Sequence, residues 1–100
     1  MRVPDVRLPQ RVDATTSADV RYALIVALDI TGESDVLVDA SQVETIDVSG
    51  LGVLLAAHRR ARQADRRLVI CDPQPRIMRL LAVTRLHRIL DLERAGVRAG

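Results

Sequence analysis

Val6, Leu8 and Val12 alternate with Arg7, Pro9 and Arg11 along the first extended stretch, a strand-like period broken at Gln10. Pro9 has no N–H to offer a ladder, so the pattern predicts one strand at a sheet edge. Thr16 and Ser17 offer N-caps, and Val20, Leu24 and Leu28 recur at i, i+4 and i+8, which predicts a helix to about Asp29. Thr31-Gly32-Glu33-Ser34 reads as its stop and turn. Val36-Leu37-Val38 is short, apolar and rich in β-branched residues, as in a buried central strand. After a turn at Ser41 to Glu44 comes Ile46-Asp47-Val48-Ser49-Gly50, then a helix from about Gly50 to Ala64 and a second apolar strand, Leu68-Val69-Ile70-Cys71. Pro75 suits the first turn of a third helix with Ile77, Leu80, Leu81 and Thr84 on one face. Ile89 to Leu92 reads as a last short strand, and Ala95 to Gly100 as a frayed tail.

Strands and helices therefore alternate along the whole chain. That order predicts a single layered α/β domain, a small mixed or largely parallel sheet with helices packed on it, its core spanning residues 6–92 of 1–100. The 48% of apolar side chains suffices for one core and argues against intrinsic disorder. The longest strictly apolar run, Ala23 to Leu28, falls far short of the ~20 residues a bilayer requires. Met1-Arg2-Val3-Pro4-Asp5 lacks the apolar stretch of a secretory signal, so the expected place is the cytoplasm and no membrane partner is expected. Cys71 is the only cysteine, which excludes an internal disulfide and a cysteine-based zinc cluster; no cofactor or metal is expected.

Asp47-Val48-Ser49-Gly50-Leu51-Gly52-Val53-Leu54-Leu55 departs from a generic helix start. Ser49 directly before a helix is in the first place an N-cap, worth ~1 kcal/mol. Yet Gly50 and Gly52 each cost a helix ~1 kcal/mol relative to alanine, so something other than helix stability selects them. Glycine admits a second backbone and leaves Ser49 accessible. Leu51, Val53, Leu54 and Leu55 make the first turns apolar nearly all round, as in a helix buried on every side or offering an apolar face to a partner. A phosphate on Ser49 would meet the free N–H groups of the helix start. It would also add about −1.5 to −2 charges, enough to abolish an apolar contact. Asp47 would add repulsion within the modified site.

These residues carry a resemblance. Ile-Asp-Val-Ser-Gly-Leu-Gly-Val-Leu-Leu resembles the Asp-Ser-Ser-Gly-Leu-Gly-Val-Leu signature of STAS domains, specifically bacterial anti-sigma factor antagonists. Val12-Asp13-Ala14-Thr15-Thr16 is similar to the family's Leu-Asp-x-x-Thr before the first helix. Val36 to Ser41 matches the strand that enters the signature loop. Pro75-Arg76-Ile77-Met78-Arg79-Leu80-Leu81 matches its Pro-x-Val-x-Arg-Leu-Leu, and Thr84-Arg85-Leu86 stands where Ser/Thr-Gly-Leu is usual. The resemblance spans roughly Leu8 to Leu92.

The resemblance implies a non-enzymatic regulator that binds a cognate anti-sigma factor, often a serine kinase, and frees its sigma factor for transcription in a stress response. It implies that the kinase switches the antagonist off by phosphorylating Ser49 and that a phosphatase restores it. The implied partner-binding residues are Asp13, Asp47, Val48, Ser49, Gly50, Leu51, Gly52 and Val53. Val48 replaces the first signature serine, leaving Ser49 the only hydroxyl there. Against the family pattern the chain is expected to lack the usual first strand and a full C-terminal helix, with a start upstream of residue 1 as one explanation. An incomplete sheet edge would favour a homodimer. The alternative on the same fold is a regulatory subunit of a transporter ATPase or of a larger signalling assembly.

The remaining features read as structural. His58 and His87 stand without a Cys, His or carboxylate at ligand spacing, and Cys71 reads as a small core residue. No Ser-His-Asp set or carboxylate pair supports an enzyme. All 15 basic residues are arginine, against 13 acidic ones, for a net charge of +2. The dense stretch from His58 to Arg67 reads first as a solvated helix end, next as an arginine surface for an acidic partner. Direct nucleic-acid binding ranks last, because net charge is small and aromatic stacking platforms are absent from a chain with no Phe or Trp.

Overall fold

The computed structural model describes residues 3–94. In chain order the elements are β1 (Val6–Arg7), β2 (Arg11–Val12), α1 (Ser17–Ile30), β3 (Val36–Asp39), β4 (Thr45–Ile46), α2 (Val48–Gln63), β5 (Leu68–Cys71), α3 (Pro75–Val83), a 3₁₀ turn (Leu86–Arg88) and β6 (Asp91–Glu93). The α/β class is as the alternation predicts. Of the mixed or largely parallel sheet expected, the parallel form is the one found: every strand pairing among the described residues is parallel, in a four-stranded sheet ordered β1-β3-β5-β6 and a two-stranded β2-β4 ladder. A helix lies between the partners of every pair, and such crossovers bring strands together parallel, whereas only a hairpin would have reversed one.

The first extended stretch differs most from expectation. In place of one strand it holds two of two residues each, and Leu8-Pro9-Gln10 separates them. They do not pair with each other: Val6 stands opposite Val38 on β3, and Val12 opposite Ile46 on β4. Proline removes a donor where the ladder would continue, and the chain leaves one sheet for the other. β1 does take the predicted edge. The closing helix, expected to be missing or reduced to residues 93–98, falls mostly outside the described residues; Glu93 itself ends β6.

Val36, Val38, Leu68 and Ile70 form the sheet's side of the core, all at 2% exposure or less. Val20, Leu24, Ala27 and Leu28 from α1 and Val53, Leu54, Ala57 and Ala61 from α2 cover them, and the two helices lie side by side. Arg66 fastens the end of α1. Its guanidinium donates to the carbonyl oxygens of Leu28 (2.7 Å) and Ser34 (3.0 Å) and to the Thr31 hydroxyl. The basic stretch thus divides: Arg66 is a structural clamp, whereas Arg59, Arg60 and Arg62 are exposed.

α3 begins with Pro75 in its first turn, as the sequence predicts, and buries Ile77 and Leu81. Just past its end Arg85 adopts φ 62°, the left-handed conformation that glycine adopts without strain.

Candidate functional site

The parallel β2–β4 ladder creates the site. Val12 stands opposite Ile46, so the chain leaves both strands side by side, at Asp13 and Asp47, each leading toward a helix. The Asp47 N–H donates to the Val12 carbonyl at 3.2 Å and prolongs the contact by one residue. Two segments that are far apart in sequence thus share one surface.

At the second exit Asp47, not Ser49, is the N-cap of α2. Its Oδ1 accepts from the Gly50 N–H at 3.0 Å, and the helix starts at Val48. The capping role that Ser49 could have had is therefore filled by its neighbour. Ser49 sits within the first turn, exposed, and its hydroxyl makes no hydrogen bond among the described residues. Val48 beside it is 85% exposed. Ser49 and Gly52 are three residues apart and so share a helix face. That face is bare, because a Cβ on Gly52 would meet nothing within 4 Å.

Gly50 has the opposite surroundings. A Cβ there would lie 2.2 Å from the Val12 carbonyl oxygen and 2.8 Å from Cγ1 of both Val12 and Ile46. The expected close approach of a second backbone is real at Gly50 and absent at Gly52. Of the other predicted site residues, Leu51 is half-buried against the core and Val53 is buried. Gly50 and Val53 accordingly shape the helix start, while Asp47, Val48, Ser49 and Gly52 form its outer surface.

Asp13 organises the first exit. Its Oδ1 accepts from the Thr15 hydroxyl (2.5 Å) and the Thr15 N–H (2.9 Å), and Arg11 stands 3.4 Å from Oδ2. The Thr15 hydroxyl bond above all holds this carboxyl below the usual carboxylate range, with Arg11 assisting. Thr16 lies at the N-cap position of α1 but does not cap it; its hydroxyl donates back to the Arg11 carbonyl at 2.9 Å and accepts from the Asp13 N–H at 3.0 Å. In the sequence Thr16 was legible only as a cap candidate and Thr15 only as part of the resemblance; the Asp-x-Thr-Thr spacing is the signal for this clasp.

Near the end of β3, Asp39 is likewise held low, first by the Ser41 N–H at 2.9 Å. On β5, burial pushes the Cys71 thiol up, helped by the nearby carboxylates of Glu93, Asp72 and Asp39. Among the described residues no group of His, Cys, Asp and Glu is placed to hold a metal ion, and no helix is long and apolar enough to cross a membrane. His58 is buried, its Nδ1 4.0 Å from Asp91 Oδ2, with neither atom hydrogen-bonded. Sequence spacing could not reveal this carboxylate, because β6 brings it from far along the chain.

The family model described as "Mlab, STAS domain" matches residues 2–92. The chain belongs to the STAS family. Among this STAS domain's relatives, the anti-sigma F factor antagonist of Paenibacillus polymyxa is 29% identical over 87% of this chain and 74% of that protein. The anti-sigma-B factor antagonist of Listeria monocytogenes is 32% identical over 89% of this chain and 77% of that protein. Both relatives are antagonists, regulators that act by binding and not as enzymes. The crystal structure of a candidate anti-sigma factor antagonist from Thermotoga maritima has the same fold, with a TM-score of 0.76 at 21% identity over 93% of this chain and 82% of that one. The unphosphorylated anti-sigma factor antagonist SpoIIAA aligns with a TM-score of 0.65 at 16% identity, covering 100% of this chain and 86% of that one.

Proposed function

We propose that this STAS domain is a cytoplasmic anti-sigma factor antagonist. It docks the start of α2 and the Asp13 junction onto an anti-sigma factor of the serine-kinase type, which then releases its sigma factor. Phosphorylation of Ser49 ends the docking, and a phosphatase restores it. One observation carries this reading: Ser49 is an exposed hydroxyl with no hydrogen bond, in the first turn of α2, between exposed Val48 and the bare face at Gly52. Its accessibility suits a kinase. Its surroundings suit a close apolar contact, which a phosphate would disrupt by charge and by the cost of desolvation. The Asp47 carboxylate, already engaged as the helix cap, would repel the same phosphate.

The test is binding of the cognate anti-sigma factor to the Ser49→Glu and Ser49→Ala variants, with and without ATP. Ser49→Glu should bind at least about tenfold more weakly than wild type, a loss of ~1.4 kcal/mol. Ser49→Ala should bind like wild type and take up no phosphate. Wild-type affinity of Ser49→Glu would overturn the switch.

A further inference from the structure

A second surface begins one helical turn beyond Ser49, at Val53, and runs along the α1–α2 contact. Where the helices lie side by side, α2 presents alanines, and their small side chains leave a groove of about 420 Å³. Half-buried Ile25 and exposed Ala56 form its accessible apolar surface, above the buried Leu24, Val53 and Ala57. Arg21 on one wall and Arg59 and Arg60 on the other are exposed. No acidic residue lines the groove, and none of the three arginines makes an ion pair or side-chain hydrogen bond among the described residues. Two other arginines of the basic stretch contrast with them: Arg66 clamps α1, and Arg67 reaches Asp91 at 3.4 Å, while Arg62, outside the groove, is exposed.

The geometry points to a docking groove for an acidic amphipathic helix of a partner protein, apolar side chains against Ile25 and Ala56 and carboxylates on Arg21, Arg59 and Arg60. Charge complementarity selects the sign of the occupant, since guanidinium groups pair bidentately with carboxylates. Extent selects its form. The lining runs along α2 from Val53 to Gln63, roughly 15 Å or three helical turns, with cations on both walls. A single compact anion would leave part of that length and one wall unused, whereas a helix laid in the groove repeats both its apolar and its acidic positions at the required spacing. Val53 lies one helical turn beyond Ser49 on the same helix, but neither Ser49 nor any residue of its turn is varied in the test below, so the groove and the phosphorylation switch can fail separately.

The probe is a fluorescein-labelled synthetic peptide of about twelve residues, with leucine at helical spacing and glutamate elsewhere, alongside a counterpart carrying lysine for glutamate. The glutamate peptide should bind saturably and more weakly at high salt, and should shift the amide resonances of Ile25, Ala56, Ala57 and Gln63. The lysine peptide should not bind. Arg59→Glu/Arg60→Glu should lower affinity by about tenfold or more, and Arg21→Glu on the opposite wall should do so independently. All three arginines are solvent-exposed, and thermal melts establish that each variant stays folded. Equal binding of the two peptides, shifts confined to other surfaces, or variants that bind like wild type would overturn the proposal. So would vesicles of anionic phospholipid, or duplex DNA, that shift the same amides while the glutamate peptide does not.

Discussion

The carbonyl oxygen of Val12 lies 2.2 Å from the position a Cβ on Gly50 would take, so the start of α2 rests directly on the backbone of β2. Gly50→Ala must push the helix away and break the bond from the Asp47 N–H to the same carbonyl. The expected cost is about 2–3 kcal/mol, read as a lower urea midpoint. Gly52→Ala meets open space on a helix and should stabilise by ~1 kcal/mol. Equal effects of the two variants would show that the close approach carries no energy.

Capping of α2 by Asp47 can be tested in the same way. Asp47→Ala removes the acceptor for the Gly50 N–H and should cost ~1 kcal/mol, while Asp47→Asn should retain most of it. Ser49→Ala, which removes no hydrogen bond, should leave the urea midpoint within about 0.5 kcal/mol of wild type.

Arg66 should be the most costly arginine to remove. Arg66→Ala deprives the Leu28 and Ser34 carbonyls and the Thr31 hydroxyl of a charged donor, and a loss of about 2–3 kcal/mol is expected in chemical denaturation. Arg66→Lys should recover little of it, because a point charge cannot reach several acceptors as a planar guanidinium does. Arg62→Ala, at an exposed helix position, is the control and should change stability by less than about 0.5 kcal/mol.

Arg85 occupies the left-handed position after α3 with a β-carbon that glycine lacks. Arg85→Gly should therefore raise stability, by about 1 kcal/mol, with a matching rise in the thermal midpoint. A fall would mean that the arginine side chain contributes more than its backbone strain costs.

Acid should weaken the fold through Asp13 and Asp39. Both carboxyls are held below their ordinary value of 3.8 in the folded state, Asp13 first by the Thr15 hydroxyl and Asp39 first by the Ser41 N–H. The folded protein thus binds fewer protons than the unfolded chain. This contribution to stability is fully present above about pH 5 and is lost as pH falls through the folded-state values. Urea midpoints measured from neutral pH down to about pH 2 should decline below about pH 4. The decline should be shallower in Asp13→Asn/Asp39→Asn, and an identical slope in that variant would place the acid sensitivity elsewhere.

Local periodicity and turn chemistry were enough to locate α1, β3, α2, β5 and α3 and to single out the segment around Ser49, because these signals lie within a few residues of one another. Val20, Leu24 and Leu28 mark a helix wherever they fold, and Pro75 marks a helix start. The pairing of strands was a different matter. Nothing near Pro9 says that Val6 will join Val38 while Val12 joins Ile46, since a two-residue strand is specified by the partner it meets. The same holds for Gly50: its lack of a side chain was plain in the sequence, but the backbone filling that space belongs to Val12, on β2 before α1. The cap of α2 was decided only by geometry, because Asp47 and Ser49 are both good capping residues and just one of them reaches the Gly50 N–H. The sequence by itself determined which elements form and which segment is chemically distinctive. Tertiary structure decided which of those elements touch, and so freed the Ser49 hydroxyl by giving the cap to Asp47.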